Sequence, residues 1–275
     1  AYGVWATGGS LNTARSTLAG AGTQTAALAF GGNTGSVTGA TELYNGTAWA
    51  ELNDLNTPKL QLAGKGTSTS ALGFGGNNPV TATTESWSGT SWTEVNDLNT
   101  ARSQLGGSGA SNTSALAFGG NVPPAKNETE LWNGSNWTEV NNLNTARRLL
   151  GGIGTQTAAL AIGGLDTAIT TITEVWNGTN WTEVNDLNNA RYGLVGIGTS
   201  TSALATGGFI TAPSTVNESW NGTNWANTTS LPTATAEGAS AGTSTAGLYF
   251  GGAAPSVTTT TFEWYGDGTL SENID

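Results

Sequence analysis

Ala26-Ala27-Leu28-Ala29-Phe30-Gly31-Gly32 decides the fold: a short run of small and apolar residues that stops at a glycine pair. The pair returns at Gly75-Gly76, Gly119-Gly120, Gly163-Gly164, Gly207-Gly208 and Gly251-Gly252, each first glycine 44 residues after the one before it. A fixed period of this length marks one supersecondary unit stacked on copies of itself. Inside the period that covers residues 15–55, turn residues divide the chain into four short strands, and no 3.6-residue periodicity is long enough for a helix. Asn45-Gly46 lies between the third and fourth of these. Asn-Gly there is a strong hairpin signal, because both turn positions need positive φ. It recurs as Asn133-Gly134, Asn177-Gly178 and Asn221-Gly222, with Ser88-Gly89 as a variant.

Four antiparallel strands per copy, at this period, make a blade of a β-propeller. The first strand is the richest in glycine and alanine, with Gly20, Gly64, Gly107, Gly152, Gly196 and Ser240 in one register. It belongs at the axis, where space is least. The fourth strand carries Trp49, Trp92, Trp137, Trp181 and Trp225, and the third carries Tyr44, Trp87, Trp132, Trp176, Trp220 and Tyr265. These rings suit the wide outer wedge between blades. Six glycine pairs are followed by only five fourth-strand tryptophans, but Trp5 lies 44 residues before Trp49. Leu11-Asn12-Thr13-Ala14-Arg15 likewise matches Leu55-Asn56-Thr57-Pro58-Lys59. The N-terminus is therefore expected to supply the outer strand of the last blade, closing the ring with hydrogen bonds and removing its open edges. Gly8-Gly9 follows Trp5 rather than a second strand and does not mark a further copy. The expectation is an all-β, six-bladed propeller forming a single domain over residues 1–275. Its blades fall near 14–57, 58–101, 102–145, 146–189, 190–233 and 234–275, with residues 1–9 completing the last.

An apolar strand ending in Gly-Gly, then an aromatic, a Trp and a Leu-Asn-Thr-Ala-Arg joint, resembles the kelch repeat. Leu116-Ala117-Phe118-Gly119-Gly120, Glu130-Leu131-Trp132, Trp137 and Thr145-Ala146-Arg147 carry the resemblance, which extends over essentially the whole chain. The phrase Thr173-Glu174-Val175-Trp176-Asn177-Gly178-Thr179-Asn180-Trp181-Thr182-Glu183 also looks like kelch-type repeats of tail-associated proteins of marine phages. These resemblances imply a propeller that binds or assembles, displayed outside a cell or on a virion.

Composition narrows the function. With 19 acidic and 8 basic residues the net charge is −11, which argues against nucleic acid, where Lys and Arg on phosphates supply most of the affinity. No apolar run approaches the roughly 18 residues of a membrane-spanning helix, so no membrane insertion is expected. Cys, Met and His are absent, which rules out a disulfide, a thiolate nucleophile, an imidazole base and a Cys/His metal centre. Copper chemistry of the galactose-oxidase kind lacks its ligands here. Glycoside hydrolysis needs two carboxylates about 5–9.5 Å apart, and the variable segments offer only Glu128 and Asp166, in different copies. No cofactor and no enzymatic activity are expected. The chain opens at Ala1 rather than Met, which reads as a processed or excised segment of a longer protein.

Two constellations remain. Each third strand carries a glutamate: Glu42, Glu85, Glu130, Glu174, Glu218 and Glu263. Ten residues after each tryptophan stands a base, Arg15, Lys59, Arg102, Arg147 or Arg191, replaced by Thr235 in the last copy. Either the bases pair with the glutamates or with carbonyls and stitch neighbouring blades, or they ring one mouth of the channel and hold an anionic group. In kelch domains that bind acidic peptides, bases at this joint look like part of the pocket. The Asn53-Asp54, Asn96-Asp97, Asn141-Asn142 and Asn185-Asp186 pairs read as turn and joint caps rather than calcium ligands, because a calcium site needs six or more converging oxygens. Asn-X-Ser/Thr triplets are explained by the same turn chemistry.

The differences between copies point elsewhere. The segments 33–40, 77–83, 121–128, 165–172, 209–216 and 253–259 vary freely, as does the residue after the base: Ser16, Leu60, Ser103, Arg148, Tyr192 and Ala236. In a propeller both emerge on one face, and loops on a rigid frame are where binding usually sits. Drift in exposed loops would give the same pattern. The candidate ligand-binding residues are Arg15, Lys59, Arg102, Arg147, Arg148, Arg191, Tyr192, Asn33, Asn77, Asn121 and Asp166. The partner expected there is a protein or glycan of a cell surface, with a larger particle or fibre as the support. A purely structural role in a virion or surface protein is the alternative.

Overall fold

A computed structural model describes residues 3–266. Residues 1, 2 and 267–275, which the sequence reading assigned to the last blade, lie outside the described residues. The described chain forms six sheets of four antiparallel strands and contains no helix. Blade 1 is Ala19–Thr23, Ala26–Phe30, Thr41–Tyr44 and Trp49–Leu52. Blades 2 to 6 begin with Ala63–Thr67, Gly106–Ser111, Gly151–Gly154, Val195–Gly198 and Ala239–Gly242. These first strands touch one another in a closed ring, blade 6 against blade 1. The glycine register predicted for the axis is the observed one, since Gly20, Gly64, Gly107, Gly152, Gly196 and Ser240 occupy equivalent pairing positions.

The ring closes as expected. Val4–Thr7 is the outer strand of blade 6, antiparallel to Thr261–Tyr265, with Trp5 opposite Trp264. Gly3 lies so close over the Trp264 ring that a Cβ there would come within 2.2 Å of it. The N-terminus thus covers an indole that would otherwise face solvent.

Each seam between blades is built twice over. Outside, the fourth-strand indole of one blade packs on the last second-strand ring of the blade before it: Trp92 on Phe30 at 4.8 Å between centroids, Trp137 on Phe74 at 5.0 Å, Trp181 on Phe118 at 4.9 Å and Trp49 on Phe250 at 4.9 Å. The same four indoles and Trp225 donate Nε1–H across the seam, Trp92 to Thr41, Trp137 to Thr84, Trp181 to Thr129, Trp225 to Thr173 and Trp49 to Thr261 Oγ1, all at 3.0 Å. Inside, the glycine pair does the joining. Gly164 N–H donates to Arg191 O of the next blade at 2.9 Å, and the other five copies make the same bond, ending with Gly252 N–H to Arg15 O. Gly163 has φ +58°, and a Cβ there would meet that carbonyl at 2.6 Å. Only glycine both adopts the left-handed backbone and permits the approach.

The sixth copy corrects one part of the reading. The glutamate and ring of the third strand were placed at Glu263 and Tyr265. By strand register, Phe250 pairs with Thr261 and Tyr249 with Phe262, as Phe30 pairs with Thr41 and Ala29 with Glu42. Phe262 therefore takes the glutamate position and Trp264 the ring position.

Candidate functional site

The five joint bases come first, because their side chains are committed. All are buried. Arg15, Arg102, Arg147 and Arg191 place Nη2 at 3.0–3.2 Å from Oε1 of Glu42, Glu130, Glu174 and Glu218, and Lys59 Nζ is 3.4 Å from Glu85 Oε1. Arg147 also donates Nη1–H to Gly163 O and Ile172 O, both at 2.8 Å. The partner Glu174 accepts in addition from Asn144 N–H and Nδ2–H at 2.8 Å, and from Thr145 N–H at 3.4 Å. One carboxylate thus ties the incoming joint to its blade through side chain and backbone together. Burial pulls the Lys59 ammonium and the arginines below their ordinary range, with the facing glutamates opposing it, and brings Arg191 down to about 10. Among the described residues the four arginine Nε–H groups have no acceptor. Arg15, Lys59, Arg102, Arg147 and Arg191 are therefore an interior stitch, not an accessible basic ring at a channel mouth.

The acidic and amide joint residues also have defined tasks. Asp54, Asp97, Asn142 and Asp186 Oδ1 accept from the N–H that opens the third strand, at 3.1–3.2 Å. Asn53, Asn96, Asn141 and Asn185 reach forward to the hairpin turn of the next blade, donating to the carbonyls of Thr90, Ser135, Thr179 and Thr223 at 2.8–2.9 Å. Among the described residues no group of three or more acidic side chains converges to hold a metal ion.

The variable positions gather on one face. The residue after each base exchanges backbone hydrogen bonds with the residue after the glycine pair: Ser16 with Asn33, Leu60 with Asn77, Ser103 with Asn121, Arg148 with Leu165, Tyr192 with Phe209 and Ala236 with Ala253. This brings Asn33, Asn77, Asn121, Arg148 and Tyr192 onto a single rim. Asp166 stands exposed in the turn just beyond Leu165. Tyr192 and Phe209 stack at 5.2 Å with their planes 24° apart, and Arg148 Nη1–H donates to Gln104 Oε1 at 2.9 Å.

Inside that rim lies a ring that the sequence did not announce. Thr17, Gln61, Gln104, Leu149, Gly193 and Glu237 all have φ between 53° and 62°. Each N–H donates to the carbonyl of the equivalent residue one blade back, from Gln61 to Thr17 round to Thr17 to Glu237, at 2.7–2.8 Å. Six left-handed residues in one cyclic hydrogen-bonded annulus encircle the channel mouth and line a cavity of about 100 Å³. A left-handed backbone costs a side-chain-bearing residue on the order of 1–3 kcal/mol, and it persists where its surroundings over-determine it. The annulus supplies that constraint. The available sequence signal was variability: this position, two after the base, changes as freely as its neighbour. The annulus includes one acid, Glu237, whose carboxyl burial pushes upward.

No family model matches this chain, and no curated protein matches it. The fold is one commonly used for binding or scaffolding, and its repeats present loops on a rigid frame.

Proposed function

We propose that the protein is a non-catalytic binding or adhesion module that takes a protein or glycan of a cell surface on the face carrying the annulus and its rim. One observation carries this reading: the positions at which the six copies differ converge on that face, while the seams beneath them repeat almost unchanged. The sector around Arg148, Tyr192, Phe209 and Glu237 is its richest part. A stacked aromatic pair gives an apolar platform with the Glu237 side chain close by, and the preceding blade adds the Arg148 guanidinium, held by Gln104. Aromatic and arginine side chains of this kind dominate binding energy in protein interfaces, and aromatic faces equally suit sugar rings. The wording of the repeat supports a setting on a phage tail or similar surface fibre, outside a cell or on a virion.

The test is binding of the isolated protein to glycan arrays and to whole cells, with R148A, Y192A and D166A as variants. Binding that weakens in at least one variant, with melting unchanged, is the expected result. No binding to any surface, or binding indifferent to all three substitutions, overturns the adhesion reading and leaves a purely structural role in a larger assembly.

A further inference from the structure

Below the mouth, the channel holds two cavities of about 110 and 90 Å³. They share Gly20, Lys65, Gly196 and Ser240, so Lys65 stands at their junction. The larger is continuous with the mouth cavity through Leu18, Leu62, Leu105, Leu150 and Gly238. Its walls are mainly the first strands of the blades, which are sheet edges. Such an edge presents unpaired N–H and C=O groups, here toward the axis. Among the described residues Lys65 is the one charged residue lining either cavity.

Lys65 also breaks the repeat. The equivalent positions hold Ala21, Ser108, Ile153, Ile197 and Ala241. No seam uses it: its ammonium makes no hydrogen bond or ion pair with any described residue, unlike the committed Lys59. The strands packed on its own are the first strands of blades 1 and 3 and the second strands of blades 1, 2 and 3, and none bears a titratable side chain. Lys65 is half-buried in the channel wall, and no side chain packed around it compensates its charge. Burial alone lowers its pKa to about 8, so at neutral pH it is still charged.

We infer that the channel is a binding site for a small carboxylate, held by the Lys65 ammonium with the edge N–H groups of the inner strands as further donors. A single water needs on the order of 10–15 Å³ of such space, so each cavity has room for a multi-atom guest. Ile153 and Ile197 give the lower cavity an apolar side for a short alkyl tail. This site lies below the proposed receptor face and opens into its mouth, but neither reading depends on the other.

The probe is sodium trifluoroacetate, followed by ¹⁹F line broadening with the intact protein and competed with sodium acetate or sodium bromide. Broadening is expected with the wild type and with K126M, reversed by acetate and poorly by bromide. K65M replaces the ammonium with an apolar chain of similar length and should weaken binding about tenfold or more, the scale of a lost charged hydrogen bond. The unsubstituted protein gives a second measurement: binding falls as pH rises through about 8, where the ammonium loses its proton. Absence of broadening in the wild type, equal binding by K65M, pH-independent binding, or displacement by bromide as effective as by acetate would each overturn the assignment.

Discussion

Blades 1 to 5 each bury an ion pair where the chain enters the blade, and blade 6 fills the same space without one. Adding 44 to the residues of blade 5 gives the correspondence: Asn188, Arg191, Leu194, Ala205 and Glu218 become Pro232, Thr235, Gly238, Tyr249 and Phe262. The five changes answer one another. Phe262 removes the carboxylate, and Thr235 removes the cation that would have been stranded. Pro232 has no N–H, whereas Asn188 N–H needs Glu218 Oε2 at 2.7 Å. Tyr249 occupies the vacated volume and its hydroxyl lies 3.2 Å from Thr235 Oγ1. Gly238 makes room for that ring, since a Cβ there would meet it at 2.5 Å. The comparison teaches that the joint needs a filled interior whose polar partners are matched to one another, not a charge. Replacing a buried ion pair by well-packed apolar groups is often neutral or stabilising, while removing one partner alone is strongly destabilising.

The largest effect is expected at the seam that completes blade 6. Deleting residues 1–9 removes Val4–Thr7, leaves Thr261–Tyr265 as an open edge and uncovers Trp264. It also removes the bond from Trp5 Nε1–H to Thr229 O of blade 5, at 3.1 Å. A steep fall in melting temperature is expected by calorimetry; an unchanged melting curve would mean that the ring holds without its terminal strand.

Next comes the ion pair itself. Arg147→Thr alone strands Glu174 in the interior and should lower unfolding free energy by about 3–5 kcal/mol. The five-site graft N144P, R147T, L150G, A161Y and E174F rebuilds the blade 6 solution in blade 4 and should recover most of that loss in urea unfolding. A graft no more stable than R147T would show that the sixth joint depends on its special neighbours rather than on its own five residues.

These correlated changes explain what the sequence reading reached and where it slipped. The 44-residue step exposed the six blades, the axial glycines and the N-terminal closure, because backbone register and the period coincide. The same step leads from Glu218 to position 262 and from Trp220 to 264. Matching by residue type instead selected Glu263 and Tyr265, because the sixth copy had changed its glutamate. Arg15 and its counterparts stayed ambiguous for a different reason. A base near a glutamate has the same spacing whether it is buried or lines a mouth, and only its depth decides. The annulus was least legible, since Thr17, Gln61, Gln104, Leu149 and Glu237 are not residues that signal positive φ, and only Gly193 is. What holds them is a ring of bonds between blades, which no single repeat contains.

The smallest effect separates the two joint designs by titration. Tyr249 is the one ionisable group among the five blade 6 replacements, and burial, its leading influence, pushes the phenol well above its ordinary value of 10. The sign follows from proton binding. Above pH 10 the unfolded chain releases this proton while the folded chain retains it, so the contribution is fully present below pH 10 and is lost as pH rises beyond it. Tyr249→Phe keeps the ring, removes the titration and gives up the contact with Thr235. At pH 8 the variant should be less stable by about 0.5–1.5 kcal/mol, the net worth of one hydrogen bond. Above pH 10 the gap should close, because only the wild type has a buried phenol that resists ionising. Because the lysines, the arginines and Tyr44 are common to both proteins, their own alkaline titrations cancel in the difference. A gap that stays constant from pH 8 to 11 in urea unfolding would mean that the Tyr249 hydroxyl is reached by water, and that blade 6 is not closed as tightly as the ion-paired blades.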